Sequence, residues 1–275
     1  MKSRFKTFFK RLMSNISKPE MKILPGQLAF YIVLTFAPLA ALFVTILGMF
    51  NLDTTYINDV MFNHLPSSVV DMLVGVSATK VTFSMKSLFW LVPMIYIVSN
   101  GMDSVIVASN YIYKLENEKA IKRRIRAIIM FFILALLLMF IVLVPVLGNV
   151  IFKIVGNLIL GRDLESFAFV IFNLLRYPIS FLLIYLAVKV LYVIAPNAKI
   201  DSKNVSYGAI FTTVLWIIGS DVYTYYVENY SNYSNVYGGI SGVIILMLWV
   251  YFLSYVFVLG IGLNVSKYQI SKDTE

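Results

Sequence analysis

Read from the N-terminus, the chain alternates long apolar runs with short polar ones. Six apolar runs stand out, at 28–50, 88–111, 127–152, 177–195, 205–226 and 238–264. The first, third and sixth carry no charge. The second carries only Asp103, the fourth only Lys189 and the fifth only Asp221. About 20 apolar residues rising 1.5 Å each cross the hydrocarbon of a bilayer. A backbone in lipid must satisfy its own hydrogen bonds, so each run predicts a transmembrane α-helix. None alternates polar and apolar residues as a barrel strand does. The expected fold class is an all-α integral membrane protein: a bundle of six transmembrane helices, residues 28–264, with short amphipathic interfacial helices.

The segments between the runs are patterned as well. Residues 1–27 set Phe5, Phe8, Phe9, Leu12, Met13 and Ile16 against Lys2, Arg4, Lys6, Lys10 and Arg11. That is either a helix lying on an anionic lipid surface or a basic tail that fixes orientation. It does not read as a cleaved secretory signal. Pro66-Ser67-Ser68 opens a stretch with Val69, Val70, Leu73 and Val74 on one face, either serine serving as N-cap. Residues 152–176 are similarly amphipathic and are split by Gly161-Arg162-Asp163. Both stretches are expected to lie flat on the outer leaflet. Between the last two runs, Tyr223, Tyr225, Tyr226, Tyr230, Tyr233 and Tyr237 interleave with Asn229, Asn232 and Asn235. This is either a tyrosine belt at headgroup level or a recognition surface for a headgroup or sugar.

Composition excludes several classes. Of 275 residues, 13% are charged and 60% apolar, against roughly 25% charged in soluble domains; mean hydropathy is +0.82. A soluble enzyme and a disordered chain fall away, and the absence of cysteine removes a disulfide scaffold. The net charge of +9 would suggest nucleic acid in a soluble protein, but here its distribution matters more. Seven Lys and Arg precede the first run, and Lys114, Lys119, Lys122, Arg123, Arg124 and Arg126 separate the second from the third. Lys199 and Lys203 follow the fourth run, and Lys267 and Lys272 lie in the tail, 265–275. The opposite loops hold only Lys80, Lys86, Lys153, Arg162 and Arg176. This asymmetry places both termini in the cytoplasm and favours an even number of spans.

Ionisable residues inside spans point to function, because an isolated charge there costs about 2.5–3.5 kcal/mol on insertion scales. Asp103 is too short to reach water by itself. Ser99, Asn100, Gly101, Ser104 and Asn110 make its helix unusually polar, as a cavity-lining face or interhelical hydrogen bonding requires. Lys189 sits at comparable depth: it pairs with Asp103, or its long stem carries the ammonium to the headgroups. Asp221 lies about one turn from the end of its run, at the interface or in the cavity. Gln27 precedes the first span. Pro38, Pro93 and Pro145 fall inside spans, where proline kinks a helix. Gly238, Gly239, Gly242, Gly260 and Gly262 allow the last helix close packing.

Other chemistry is missing. The single histidine, His64, has no neighbouring ligand set, and no phosphate loop, nucleophile elbow or carboxylate cluster is present. No metal, cofactor or nucleic-acid partner is therefore expected. Arg123, Arg124 and Arg126 read as topology determinants that contact anionic lipid phosphate.

Several stretches resemble the YihY/BrkB family of bacterial membrane proteins. They are Gly26-Gln27-Leu28-Ala29-Phe30-Tyr31 with Phe36-Ala37-Pro38, Asn110-Tyr111-Ile112-Tyr113, Tyr207-Gly208-Ala209 with Leu215-Trp216, Tyr237-Gly238, and Trp249 followed by Leu259-Gly260-Ile261-Gly262-Leu263-Asn264. The resemblance implies a six-span protein of the bacterial cytoplasmic membrane with both termini inside. It also implies that the family's old ribonuclease label is mistaken, and it links the chain to envelope integrity and lipid traffic. Gly262 stands where the family's last helix usually has an acid. The expected function is a transporter or flippase-like protein, not driven by ATP, for a lipid or other amphiphile. In it Asn100, Asp103, Lys189 and Asp221 line the substrate cavity. The alternative is a non-catalytic envelope scaffold that binds partner proteins through its Tyr/Asn-rich loop. Expected partners are anionic membrane lipids, with a second copy of the chain or envelope proteins beyond them.

Overall fold

The computed structural model describes residues 14, 17, 21–34, 85–136, 162–230 and 233–272, and all regular structure among them is helical. The helices are α1 (Met21–Leu34), α2 (Met85–Tyr113), α3 (120–136), α4 (Arg162–Ile194) and α5 (Ser202–Tyr230). A short α6 (Tyr233–Tyr237) and a 3-10 turn (Gly238–Ile240) lead into α7 (Ser241–Lys272). Two of these segments, α5 and Ser241–Gln269 of α7, are long and apolar enough to cross a membrane.

Their outward faces bear this out. Ile210, Val214, Ile218 and Val222 recur every fourth residue on α5 and are exposed. Val243, Met247, Tyr251 and Tyr255 do the same on α7. Water would penalise such stripes, whereas lipid matches them. Among the described residues the larger of two buried clusters gathers Leu24 and Leu28 of α1, Val105 and Ile106 of α2, Ala127 and Met130 of α3, Val188 and Tyr192 of α4, Val205 and Ala209 of α5, and Val258 and Ile261 of α7; the smaller packs Ala29 of α1 against Leu246 and Val250 of α7.

The tightest seam joins α5 to α7. A Cβ on Gly208 would collide with Asn264 and the Gly260 carbonyl, one on Gly260 with Tyr192 and Thr212, and one on Gly219 with the Phe252 ring. Polar side chains stitch the same seam. The Tyr223 hydroxyl donates to the Ile245 carbonyl at 2.9 Å, Trp216 Nε1 to Leu253 O at 2.9 Å, and Trp249 Nε1 to Ser220 Oγ at 3.1 Å. Tyr192, fully buried, donates to Phe257 O at 2.9 Å and shares a 2.6 Å bond with Thr212. The Gly208 N–H reaches Asn264 Oδ1 at 2.9 Å.

Several boundaries differ from those read in the sequence. α3 begins at 120, so Lys122, Arg123, Arg124 and Arg126 lie on its first turns and only 114–119 form the connection. Residues 162–176, expected to lie flat apart from the fourth span, continue unbroken into it through Pro178. α7 starts at Ser241 and runs past the expected tail boundary to Lys272. The first helix already exists at Met21, inside the segment read as a basic flank. The stretch at Pro66, His64, Pro38 and Pro145 lie outside the described residues, as do 1–13, the far ends of the first and third runs, and 152–161.

Candidate functional site

The polar face of α2 meets the basic first turns of α3. Arg123 Nε donates to Asp103 Oδ1 at 2.6 Å, and both side chains are about one-quarter exposed (26% and 23%). Beside this pair, Arg124 spans a helical turn of α2: Nη1 donates to Asn100 Oδ1 and Nη2 to the Tyr96 carbonyl, each at 2.6 Å. Its guanidinium carbon lies 3.7 Å from the centroid of the Tyr96 ring, a cation–π contact. Asp103 is thus neutralised by Arg123, and the anticipated Asp103–Lys189 pair does not form. Lys189, on α4, instead lies 5.4 Å from the centroid of the Tyr185 ring. A planar guanidinium suits a carboxylate better than a point-charge ammonium does, and α3 delivers it directly.

The end of α2 is locked to the end of α4. Lys114 takes a left-handed conformation (φ 59°). The Leu115 N–H bonds Asn110 O at 2.8 Å, and the Lys114 N–H bonds Tyr111 O at 3.1 Å: a Schellman cap with lysine where glycine is usual. Asn110 Nδ2 then donates to Asn117 Oδ1 at 2.9 Å, and its Oδ1 accepts the Asn197 N–H at 2.6 Å. Asn197 Nδ2 returns to the Glu116 carbonyl at 3.1 Å. Glu118 collects Arg126 at 2.6 Å and Lys122 at 2.9 Å.

Some hydrogen-bonding capacity remains unused. Arg124 Nε, Arg126 Nη1 and Glu118 Oε2 are buried without a partner, a costly state for groups of this kind. By contrast, Ser99 and Ser104 of α2 turn back onto the carbonyls of Tyr96 and Asn100, at 2.8 and 2.9 Å, so their polarity is spent within the helix. Beyond the apolar run, the Tyr113 hydroxyl is buried without a partner. Burial first, and the neighbouring Tyr268 phenol second, push it well above its ordinary pKa of 10.0.

The structure therefore brings Asn100, Asp103, Arg123 and Arg124 together and leaves Lys189 apart on α4. Asp221 and Gln27 are exposed. Tyr223, one of the six tyrosines between the last two runs, belongs to the α5–α7 seam, whereas Tyr225, Tyr226, Tyr230 and Tyr237 are exposed. Among the described residues, no group of three His, Cys, Asp or Glu could hold a metal. Reading the arginines as loop charges hid the partner of Asp103. The spacing of Ile121, Ile125, Ile129 and Phe132, all exposed on one stripe of α3, carries the signal that the helix begins before Ala127.

Long apolar helices with lipid-matched faces and a partly buried arginine–carboxylate seam define a helical membrane protein. The chain belongs to the BrkB family: the family model described as virulence factor BrkB matches residues 12–275, in agreement with the motifs read from the sequence. It is 27% identical over 261 residues to the ribonuclease-like protein YfkH of Bacillus subtilis, covering 94% of each chain. It is 23% identical to a UPF0761 membrane protein of Vibrio vulnificus, over 92% of this chain and 80% of that one. A third relative, a UPF0761 membrane protein of Actinobacillus pleuropneumoniae, is 31% identical over 36% of this chain and 35% of its own. No solved structure matches the chain.

Proposed function

We propose that this protein moves a lipid or other amphiphile with an anionic headgroup across the bacterial cytoplasmic membrane without ATP, as a six-span bundle with both termini in the cytoplasm. One observation carries the reading: Arg124 Nε and Arg126 Nη1 are unfilled donors on a helix whose Ile121, Ile125, Ile129 and Phe132 face outward. A phosphate that displaces Asp103 from Arg123 gains that guanidinium and the free Nε of the adjacent Arg124, while its acyl chains stay in lipid against the apolar stripe of α3. Asp103 holds the site closed when it is empty, and Asn100 holds Arg124 in place. No nuclease chemistry is assigned.

The test is translocation of a headgroup-labelled anionic lipid in proteoliposomes of the full chain. Losing one charge-assisted hydrogen bond is worth about a tenfold change, so Arg124→Gln should slow the initial rate about tenfold. Asp103→Asn should alter it by a similar factor, and the exposed Lys122→Ala should leave it unchanged. Unchanged rates in folded Arg124→Gln and Asp103→Asn would remove the site. Wild-type vesicles no faster than protein-free ones would remove transport itself. The second reading, an envelope scaffold, is favoured by the exposed Tyr225, Tyr226, Tyr230, Val236 and Tyr237, and predicts that altering these residues abolishes function while Arg124→Gln does not.

A further inference from the structure

Lys189 lies five residues before the end of α4, and Ser206 four residues after the start of α5, so both sit about 6–8 Å from the same end of this helix pair by helical rise. Among the described residues, no carboxylate pairs with Lys189; the ammonium lies near the Tyr185 ring. Tyr185 interacts with Lys189 and, across to α5, with Ser206, whose Oγ donates to its own helix at Ser202 O, at 2.9 Å. Three polar groups from two helices thus converge at one spot, with one uncompensated positive charge. Towards the middle of the same helices, Leu182 and Leu186 on α4 and Ile210 on α5 are exposed. A cation beside a phenol hydroxyl at the end of an apolar groove matches a phospholipid: phosphate against the ammonium, acyl chain along the leucines.

We infer that Lys189 and Tyr185, beside Ser206, form a binding site for the phosphate of an anionic membrane lipid on the outer face of the α4–α5 pair, separate from the α2–α3 seam. The site needs the chain to lie in a membrane but does not need it to transport anything. Its lipid is resident: it neutralises Lys189 and fixes the depth of α4 and α5 in the bilayer.

The experiment is equilibrium binding to delipidated, full-length protein in detergent. Bound lipid is counted by native mass spectrometry as phosphatidylglycerol is titrated, with phosphatidylcholine and inorganic phosphate as comparisons. The wild type should retain one phosphatidylglycerol that Lys189→Met loses, with affinity about tenfold weaker, while Lys189→Arg keeps it. Tyr185→Phe should weaken binding by a smaller factor, and a melting curve for each variant identifies any that fails to fold. Retention unaffected by both Lys189→Met and Tyr185→Phe overturns the site. Displacement of the lipid by millimolar inorganic phosphate overturns the lipid as its ligand and leaves a free-phosphate site. Arg124→Gln should not change this binding, so failure here and failure of transport are read in different variants.

Discussion

Lys114 occupies a left-handed position that costs an ordinary residue about 1 kcal/mol and glycine little. Its N–H and that of Leu115 already close the cap of α2, so no hydrogen bond is lost when the side chain is removed. Lys114→Gly should therefore stabilise the protein by roughly 0.5–1 kcal/mol, seen as a higher melting temperature in detergent. Tyr113 makes a second case. Its buried hydroxyl lacks a partner, and an unsatisfied buried group costs about 1–3 kcal/mol, so Tyr113→Phe should stabilise by roughly 1 kcal/mol at neutral pH. The raised pKa adds a pH dependence with a definite sign. The unfolded chain releases the phenolic proton near its ordinary value of 10.0, while the folded chain holds it. Stability is thus complete below that value and falls as pH rises above it. In Tyr113→Phe, denaturant midpoints measured across the alkaline range should fall less steeply than in the wild type.

At the scale of elements, the α5–α7 seam is the most demanding contact among the described residues. A methyl group on Gly260 would meet Tyr192 and Thr212, both buried and hydrogen-bonded to each other, so neither can step aside without losing that bond. Gly260→Ala should cost roughly 1–3 kcal/mol, the range for overpacking. Gly26→Ala, whose new methyl would meet only the Tyr251 ring at 3.9 Å, should be neutral or stabilising, since alanine favours a helix by about 1 kcal/mol over glycine. Comparing the two melting curves separates packing from helix propensity. Much of this level was legible in the sequence. α2 and α5 enclose the apolar runs that announce them, because polar residues bound those runs on both sides. α3 was misplaced because Arg123, Arg124 and Arg126 interrupt its hydropathy, although the isoleucine spacing persists beneath them. The pairing of Asp103 was not legible, since it depends on how α3 is rotated about α2, and no one-dimensional pattern records that angle. Two stretches carrying the family resemblance, 207–209 and 259–264, meet at Gly208 and Asn264, so a similarity visible only as separate words in the chain is one contact in space.

At the scale of the whole molecule, length constrains how the helices sit in a bilayer. α4 has 33 residues and α7 has 32, about 50 Å each by helical rise, against about 30 Å of hydrocarbon. In the proposed six-span arrangement both tilt or project into the headgroups and beyond, which suits the polar ends of α2 and α4 where Asn110, Asn117 and Asn197 interlock. α5 joins α4 through the connection at 195–201 and leads to α7 through the turn at 238–240. If α5 crosses the membrane, Lys199 and Val236 must face opposite compartments, and in the proposed orientation Lys199 is the one inside. The chain contains no cysteine, so single cysteines can be introduced without a background. In intact cells, a membrane-impermeant maleimide should label Val236→Cys and spare Lys199→Cys and Ser17→Cys, all three at exposed positions. Permeabilisation should make all three reactive. Labelling of Lys199→Cys from outside would invert the bundle. Labelling of both Lys199→Cys and Val236→Cys from outside would mean that α5 does not cross, and with it the six-span arrangement would fall.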